Sequence, residues 1–181
     1  MPSLLFFTDP ARTSDPVRVI DRLPRGAGVV IRVFGAADAL ARGQAIRIAA
    51  RRRGVQVFVG ADVGLAVALK ADGVHLPERL VGRPGVQRAI RRRFRLTAAA
   101  HSYPAALRAV RAGVDAVILS PVFPSRSPSA GAALGIMRFA RWTRALKAPV
   151  YALGGVGVGT ARRLATSGAI GLAAIDGLND N

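Results

Sequence analysis

The sequence predicts an α/β fold, a compact (β/α)8 TIM barrel forming a single domain over residues 1–181, and three observations carry that expectation. Short apolar runs alternate regularly with longer segments whose apolar residues recur at helical spacing. The short runs are nearly continuous in apolar residues, as parallel strands covered on both sides by crossover helices must be. Neither a linker nor a break in composition interrupts the 181 residues. An open doubly wound sheet is the alternative arrangement of the same βα units.

The elements follow in order. LLFFT (4–8) is the first strand candidate, and DPVRVIDRL supplies the helix after it. GVVIRV (28–33) leads into ADALARGQAIRIAARRR, and VQVFVG (55–60) into ADVGLAVALKA. GVHL (73–76) precedes GVQRAIRRR, and RLTAAA (95–100) precedes YPAALRAVRA. DAVILS (115–120) is followed, after a long connection, by GIMRFARWTRALK. PVYALG (149–154) leads to GTARRLATS, and AIGLAAI (169–175) closes the series. The eighth helix is short or missing, because little chain remains after Leu178. Gly54, Gly113 and Gly168 follow three of the helices, where a left-handed residue ends the last turn.

Composition narrows the function classes. At 51% hydrophobic the chain is long enough to bury one core. It has no cysteine, which excludes disulfides, thiolate metal ligands and a thiol nucleophile. The start, MPSLLFFTDP, has no basic leader and meets an acid soon after four apolar residues, so neither a signal peptide nor a membrane span is expected, and the location expected is cytoplasmic. A net charge of +17 raises nucleic-acid binding, with Arg51, Arg52 and Arg53 and Arg91, Arg92 and Arg93 as its carriers. Both runs end helical patterns, where cations complement the helix dipole, and no nucleic-acid recognition motif accompanies them. Lysine occurs only as Lys70 and Lys147 beside abundant Ala, Arg and Gly, which reads as a bias of the whole chain. No specific nucleic-acid partner is expected.

In a barrel of this kind chemistry sits on the loops that follow the strands. The stretch LSPVFPSRSPSA (119–130) runs from strand six into a loop longer than such connections usually are, which suggests a lid or a substrate grip. Ser125, Arg126, Ser127 and Ser129 are placed there to hydrogen-bond an anion. ALGGVGVG (152–159), after strand seven, is the clearest local motif, since glycines let backbone N–H groups approach a phosphate and a helix start adds partial positive charge. With Gly171 to Asp176 it falls where such barrels build phosphate sites.

FFTD, ADGVHLPE, AAAHS, DAVILSPVFPSRS with LG after it, PVYALGGV and SGAIGLAAIDGL, in that order and spacing, resemble the thiamine phosphate synthase / TenI family. The resemblance implies a barrel that binds the thiazole phosphate half of thiamine, and one of two reactions: coupling that half to a pyrimidine pyrophosphate, or isomerising the thiazole ring. It assigns phosphate binding to Gly154, Gly155 and the backbone of Ala173 and Ala174, with Arg32, Ser125 and Arg126 as further ligand contacts. His101 matches the histidine that TenI-like tautomerases use to move the proton, although synthases often carry one there too.

Coupling needs Mg²⁺ on carboxylates and cations around the departing pyrophosphate. Arg32 matches the synthase arginine, but Phe34 stands for the following lysine, Gly60 and Ala61 for an Asn-Asp pair, Ala99 for a serine, Ser125 for a threonine and Pro128 for a lysine. Pro77 and Glu78 replace a Gly-Gln pair, with no Asp after them, and Asp62 and Glu78 are the carboxylates left as substitute ligands. No cofactor is therefore expected, with Mg²⁺ required only for a retained synthase activity. Isomerisation needs only a positioned acid/base and a phosphate anchor. His75, inside GVHL, reads as a hydrogen-bonded core residue. Asp176 stands where the family usually has a serine beside the phosphate, an unfavourable place for a carboxylate that Arg126 or Arg32 would have to offset.

The expectation is thus a TenI-like thiazole tautomerase acting on a small phosphorylated substrate through His101. A synthase with altered site residues, a noncatalytic phosphate-ligand-binding or regulatory barrel, and a basic nucleic-acid binder are the alternatives. Assembly as a homo-oligomer stays open.

Overall fold

The computed structural model describes residues 1–33, 35–83, 90, 93–125 and 131–176. Strands β1 (Leu4–Phe7), β2 (Gly28–Ile31), β3 (Gln56–Gly60), β4 (Gly73–Leu76), β5 (Arg95–Ala100), β6 (Ala116–Leu119), β7 (Val150–Ala152) and β8 (Gly171–Ala174) form a closed barrel in chain order. All the pairings are parallel, and Leu5 beside Ala173 closes β1 on β8. Closure decides between the two arrangements the sequence allows: the open sheet is not formed.

The helices follow the expected plan: α1 (Pro16–Arg22), α2 (Ala39–Arg53), α3 (Val63–Ala68), α4 (Tyr103–Arg111), α5 (Ile136–Leu146) and α6 (Val158–Ala161). Asp15, Asp62 and Ser102 accept the backbone N–H of Arg18, Leu65 and Ala105, satisfying first-turn donors of α1, α3 and α4. Gly54 ends α2 in the left-handed conformation with φ 74°. GTARRLATS departs from expectation, because α6 is one turn continued as a 3₁₀ turn over Arg162–Leu164. Most of GVQRAIRRR, and everything after Asp176, lies outside the described residues.

The core has two compartments, as period-two strands inside a ring of helices require. Leu5, Phe7, Val30, Phe58, Ala116, Ile118, Tyr151 and Ala173 fill the barrel interior. The intervening strand residues, such as Phe6, Val29 and Ile31, pack against Ile20, Ile46, Ala106 and Phe139 of the helices. Near the strand starts the interior is tight. A Cβ on Gly73 would stand 2.4 Å from Phe58 Cδ1, so this strand begins with glycine to make room for the neighbouring ring. Tyr151 spans the interior and donates its hydroxyl to the Pro2 carbonyl, while burial pushes its pKa up to about 12.

Of the first arginine run, Arg52 pairs with Asp21 and Arg53 donates to the Leu23 carbonyl at 2.7 Å. In the second run, Arg91 and Arg92 lie outside the described residues. Among the described residues no helix is long and apolar enough to cross a membrane.

Candidate functional site

A cavity of about 810 Å³ opens at the C-terminal ends of the strands. Its wall includes Phe7 of β1, Arg32 after β2, Gly60 of β3, His75 of β4, Ala99 of β5 and His101 just beyond it, with Ser120, Ser125 and Gly154 from the loops after β6 and β7. A smaller cavity of about 280 Å³ adjoins it through Ser125, Leu153, Gly154 and Ile175, and is lined further by Arg12, Gly155, Gly159, Thr160, Ala174 and Asp176. The loops converge because all eight strands point the same way.

His101 is held on two sides. Its ring Nδ1 lies 3.1 Å from the Ser120 carbonyl oxygen and 3.2 Å from Ser120 Oγ. A carbonyl only accepts, so the bond to it puts the ring proton on Nδ1 and leaves Nε2 with its lone pair in the neutral imidazole. The backbone N–H of His101 donates to Glu78 Oε2 at 2.9 Å, and Glu78 Oε1 takes Arg108 at 3.4 Å. An exposed imidazole with one nitrogen anchored and the other without a partner among the described residues can take up and return a proton.

His75 is both a core residue and part of the cavity wall. It is buried, with Nδ1 3.0 Å from Thr97 Oγ1 and its ring edge-on to Phe7 at 5.0 Å between centroids. Burial pushes its pKa down to about 3, with the nearby Arg32 charge acting in the same direction, so the ring is neutral.

Arg32 is fastened to the end of β1. Its backbone N–H donates to Thr8 Oγ1 at 2.9 Å, its Nε to the Thr8 carbonyl at 2.7 Å and its Nη2 to Asp9 Oδ2 at 3.1 Å, with the guanidinium over the Phe7 ring. Burial pulls its pKa below the ordinary value while Asp9 opposes that. It faces the larger cavity and is not part of the smaller one.

The glycine turn after β7 makes the floor of the smaller cavity. Thr160 Oγ1 accepts from Gly157 N at 3.0 Å and donates to the Gly155 carbonyl at 2.9 Å, closing the turn on itself. Gly154 (φ 90°) and Gly155 (φ 63°) have a packing reason as well: a Cβ on either would meet Pro121 Cα at 2.6 Å or the Pro124 carbonyl at 2.5 Å. Gly159 has no such reason, since a Cβ there meets nothing within 4 Å. The helix start expected to add charge is a single turn and supplies little of a macrodipole.

Of the two alanines expected on the ligand, Ala174 reaches the smaller cavity, whereas Ala173 lies among the barrel-interior residues. Successive side chains of a strand face opposite sides, so the two methyl groups do not share a surface. Ser125 borders both cavities. Arg126, with Ser127 to Ser129, lies outside the described residues. The base of that loop is fixed by Val122 N to Leu153 O at 2.8 Å and Phe123 N to Gly154 O at 3.0 Å, with both side chains buried.

Gly60, Ala61 and Ala99, expected in place of polar synthase residues, line the larger cavity. The carboxylates at this end are already engaged: Asp9 with Arg32, Asp62 as the cap of α3, Glu78 with His101 N and Arg108, Asp176 with Arg12. Among the described residues no three His, Asp or Glu side chains gather as a metal site. Mg²⁺ is held in such sites by one or two carboxylates with waters and substrate phosphates, and each of these four carboxylates would have to give up a present partner to serve it.

Two charged cavity residues escape the sequence. Arg12, in the loop after β1, lines the smaller cavity and bonds Asp176, 164 positions away. Arg79, beside Glu78, lines the larger one. The available pointer is topological, because any charged residue just beyond a barrel strand is near the mouth.

The thiamine monophosphate synthase family model matches residues 4–178. A thiamine-phosphate synthase of Limosilactobacillus fermentum is 34% identical over 140 residues, 77% of this chain and 66% of that protein. One of Aromatoleum aromaticum is 31% identical over 181 residues, 97% of this chain and 87% of that protein. The chain thus spans about two thirds of the length of the first of these relatives and most of the second. The thiamine phosphate pyrophosphorylase structure from Pyrococcus furiosus superposes with a TM-score of 0.81 at 25% identity, covering 96% of this chain and 85% of that one. The closed barrel superposes on that structure over nearly its whole length, and with the family model matching residues 4–178 the chain belongs to the thiamine monophosphate synthase family.

Proposed function

We propose that this chain isomerises a thiazole phosphate. The phosphate occupies the smaller cavity, the ring lies in the larger one, and His101 takes a proton from one ring carbon and a proton is returned at another. Atoms and charge balance without an oxidant, a leaving group or a metal, because product and substrate are tautomers. The observation that carries this reading is a cavity that sets an anchored His101 beside Gly60, Ala61 and Ala99. An isomerase asks nothing of those three positions, whereas departure of pyrophosphate asks for charge there.

The coupling reaction is the second reading, supported by the names of the relatives and by Arg32 and Arg79 in the cavity wall. A side-by-side assay separates the two. Purified protein is given the thiazole phosphate tautomer in EDTA, and separately thiazole phosphate with pyrimidine pyrophosphate and millimolar Mg²⁺. Conversion in the first mixture without thiamine phosphate in the second is expected. Thiamine phosphate formation alone would establish the coupling reading. Thiazole phosphate binding with neither reaction would establish a noncatalytic binder.

A further inference from the structure

The smaller cavity differs from an ordinary phosphate site in one respect: a carboxylate stands in it. Among its described lining residues the only charged side chains are Arg12 and Asp176. Arg12 occupies Asp176 Oδ2, and Asp176 Oδ1 is buried without a hydrogen-bond partner among the described residues. The next charges are Arg32 and its partner Asp9, and Arg32 is close enough to Arg12 and Asp176 to sense both. The turn after β7 contributes only Leu, Gly, Val and Thr side chains to this wall, and the loop after β6 contributes Pro124 and Ser125. The described charges around Asp176 are therefore two cations and one further carboxylate, Asp9.

An ionised carboxylate only accepts hydrogen bonds, and so does a fully ionised phosphate. Facing each other they repel, and neither can satisfy the other. A phosphate monoester that retains one proton has a P–OH to donate, a single negative charge for Arg12 and the backbone amides, and a second pKa of about 6. We propose that Asp176 makes this cradle select the monoanion of a phosphate monoester, whose own hydroxyl donates to the Asp176 carboxylate. This deepens the reading of the cavity as a thiazole phosphate site and rests on it for the placement of the phosphate and the identity of the ester.

Calorimetric titration of the full chain with thiazole phosphate, and separately with inorganic phosphate, between pH 5 and pH 8 tests the inference. Above each ligand's own second pKa, about 6 for the ester and higher for inorganic phosphate, the wild-type Kd is expected to weaken by nearly tenfold per pH unit, with one proton taken up per ligand bound. In Asp176→Asn, whose amide can donate to a dianion, Kd is expected to stay within about threefold over the same range. The phosphonate analogue, with its higher second pKa, is expected to move the wild-type midpoint upward. A midpoint that ignores the ligand's pKa, a wild-type Kd that tightens with pH, or no binding of either phosphate compound would overturn the inference. Inorganic phosphate binding with the expected pH dependence, but no thiazole phosphate binding, would uphold the cradle and sink the thiazole reading. Thiazole phosphate binding without the pH dependence would do the reverse.

Discussion

The backbone N–H of His101 donates to Glu78 Oε2 at 2.9 Å, so the 3₁₀ turn after β4 fixes the residue whose ring is anchored on the loop after β6. Glu78 holds the chain of His101 and does not hold its ring. Its carboxylate is therefore a positioning group.

Loss of that acceptor misplaces His101 without removing it. Glu78→Ala is expected to lower kcat for tautomer conversion roughly tenfold with little change in KM, because ring placement and not phosphate binding is disturbed. Glu78→Gln keeps an acceptor oxygen and is expected to recover most of the rate. Steady-state kinetics of the two variants check this, and equal defects in both would contradict it.

His75 makes stability depend on pH. Its ordinary pKa of 6.5 falls to about 3 in the fold, so between those values the unfolded chain binds a proton that the folded chain refuses. The stability associated with the neutral ring is complete above about pH 6.5 and is lost as pH falls toward 3. The slope reaches at most ~1.4 kcal/mol per pH unit. Urea unfolding from pH 7 to pH 4.5 is expected to show His75→Asn, less stable at pH 7, losing stability on acidification more slowly than wild type.

The glycines of ALGGVGVG separate into those that a packed neighbour requires, Gly154 and Gly155, and Gly159, which none requires. Gly154→Ala puts a Cβ 2.6 Å from Pro121 Cα at a residue with φ 90°, and is expected to destabilise the fold by about 1–3 kcal/mol. Gly159→Ala enters open space and is expected to leave unfolding almost unchanged while weakening phosphate binding several-fold. Thermal unfolding paired with a phosphate titration reads both effects.

The fold was legible because its evidence is local. GVHL and RLTAAA become β4 and β5 to the residue, since an apolar run bounded by turn residues encodes a buried strand directly. GTARRLATS misled because its apolar spacing is helical, yet Gly157 and Gly159 weaken the start and the chain tightens into a 3₁₀ turn. His101, Gly154 and Ser125 were legible through their place after strands. The pairing of Asp176 with Arg12 was not, because it joins ends of the chain 164 residues apart and Arg12 is one of 27 Lys and Arg residues. Ala173 and Ala174 could be parted only by knowing which face of β8 looks inward, which closure of the barrel decides.

The central claim is that His101 moves the proton, and the measurement that tests it most directly is the rate of tautomer conversion in EDTA by wild type and by His101→Ala. The account predicts metal-independent turnover that His101→Ala lowers by about 10²–10⁴-fold, with thiazole phosphate still bound. Equal turnover in the two proteins would contradict it.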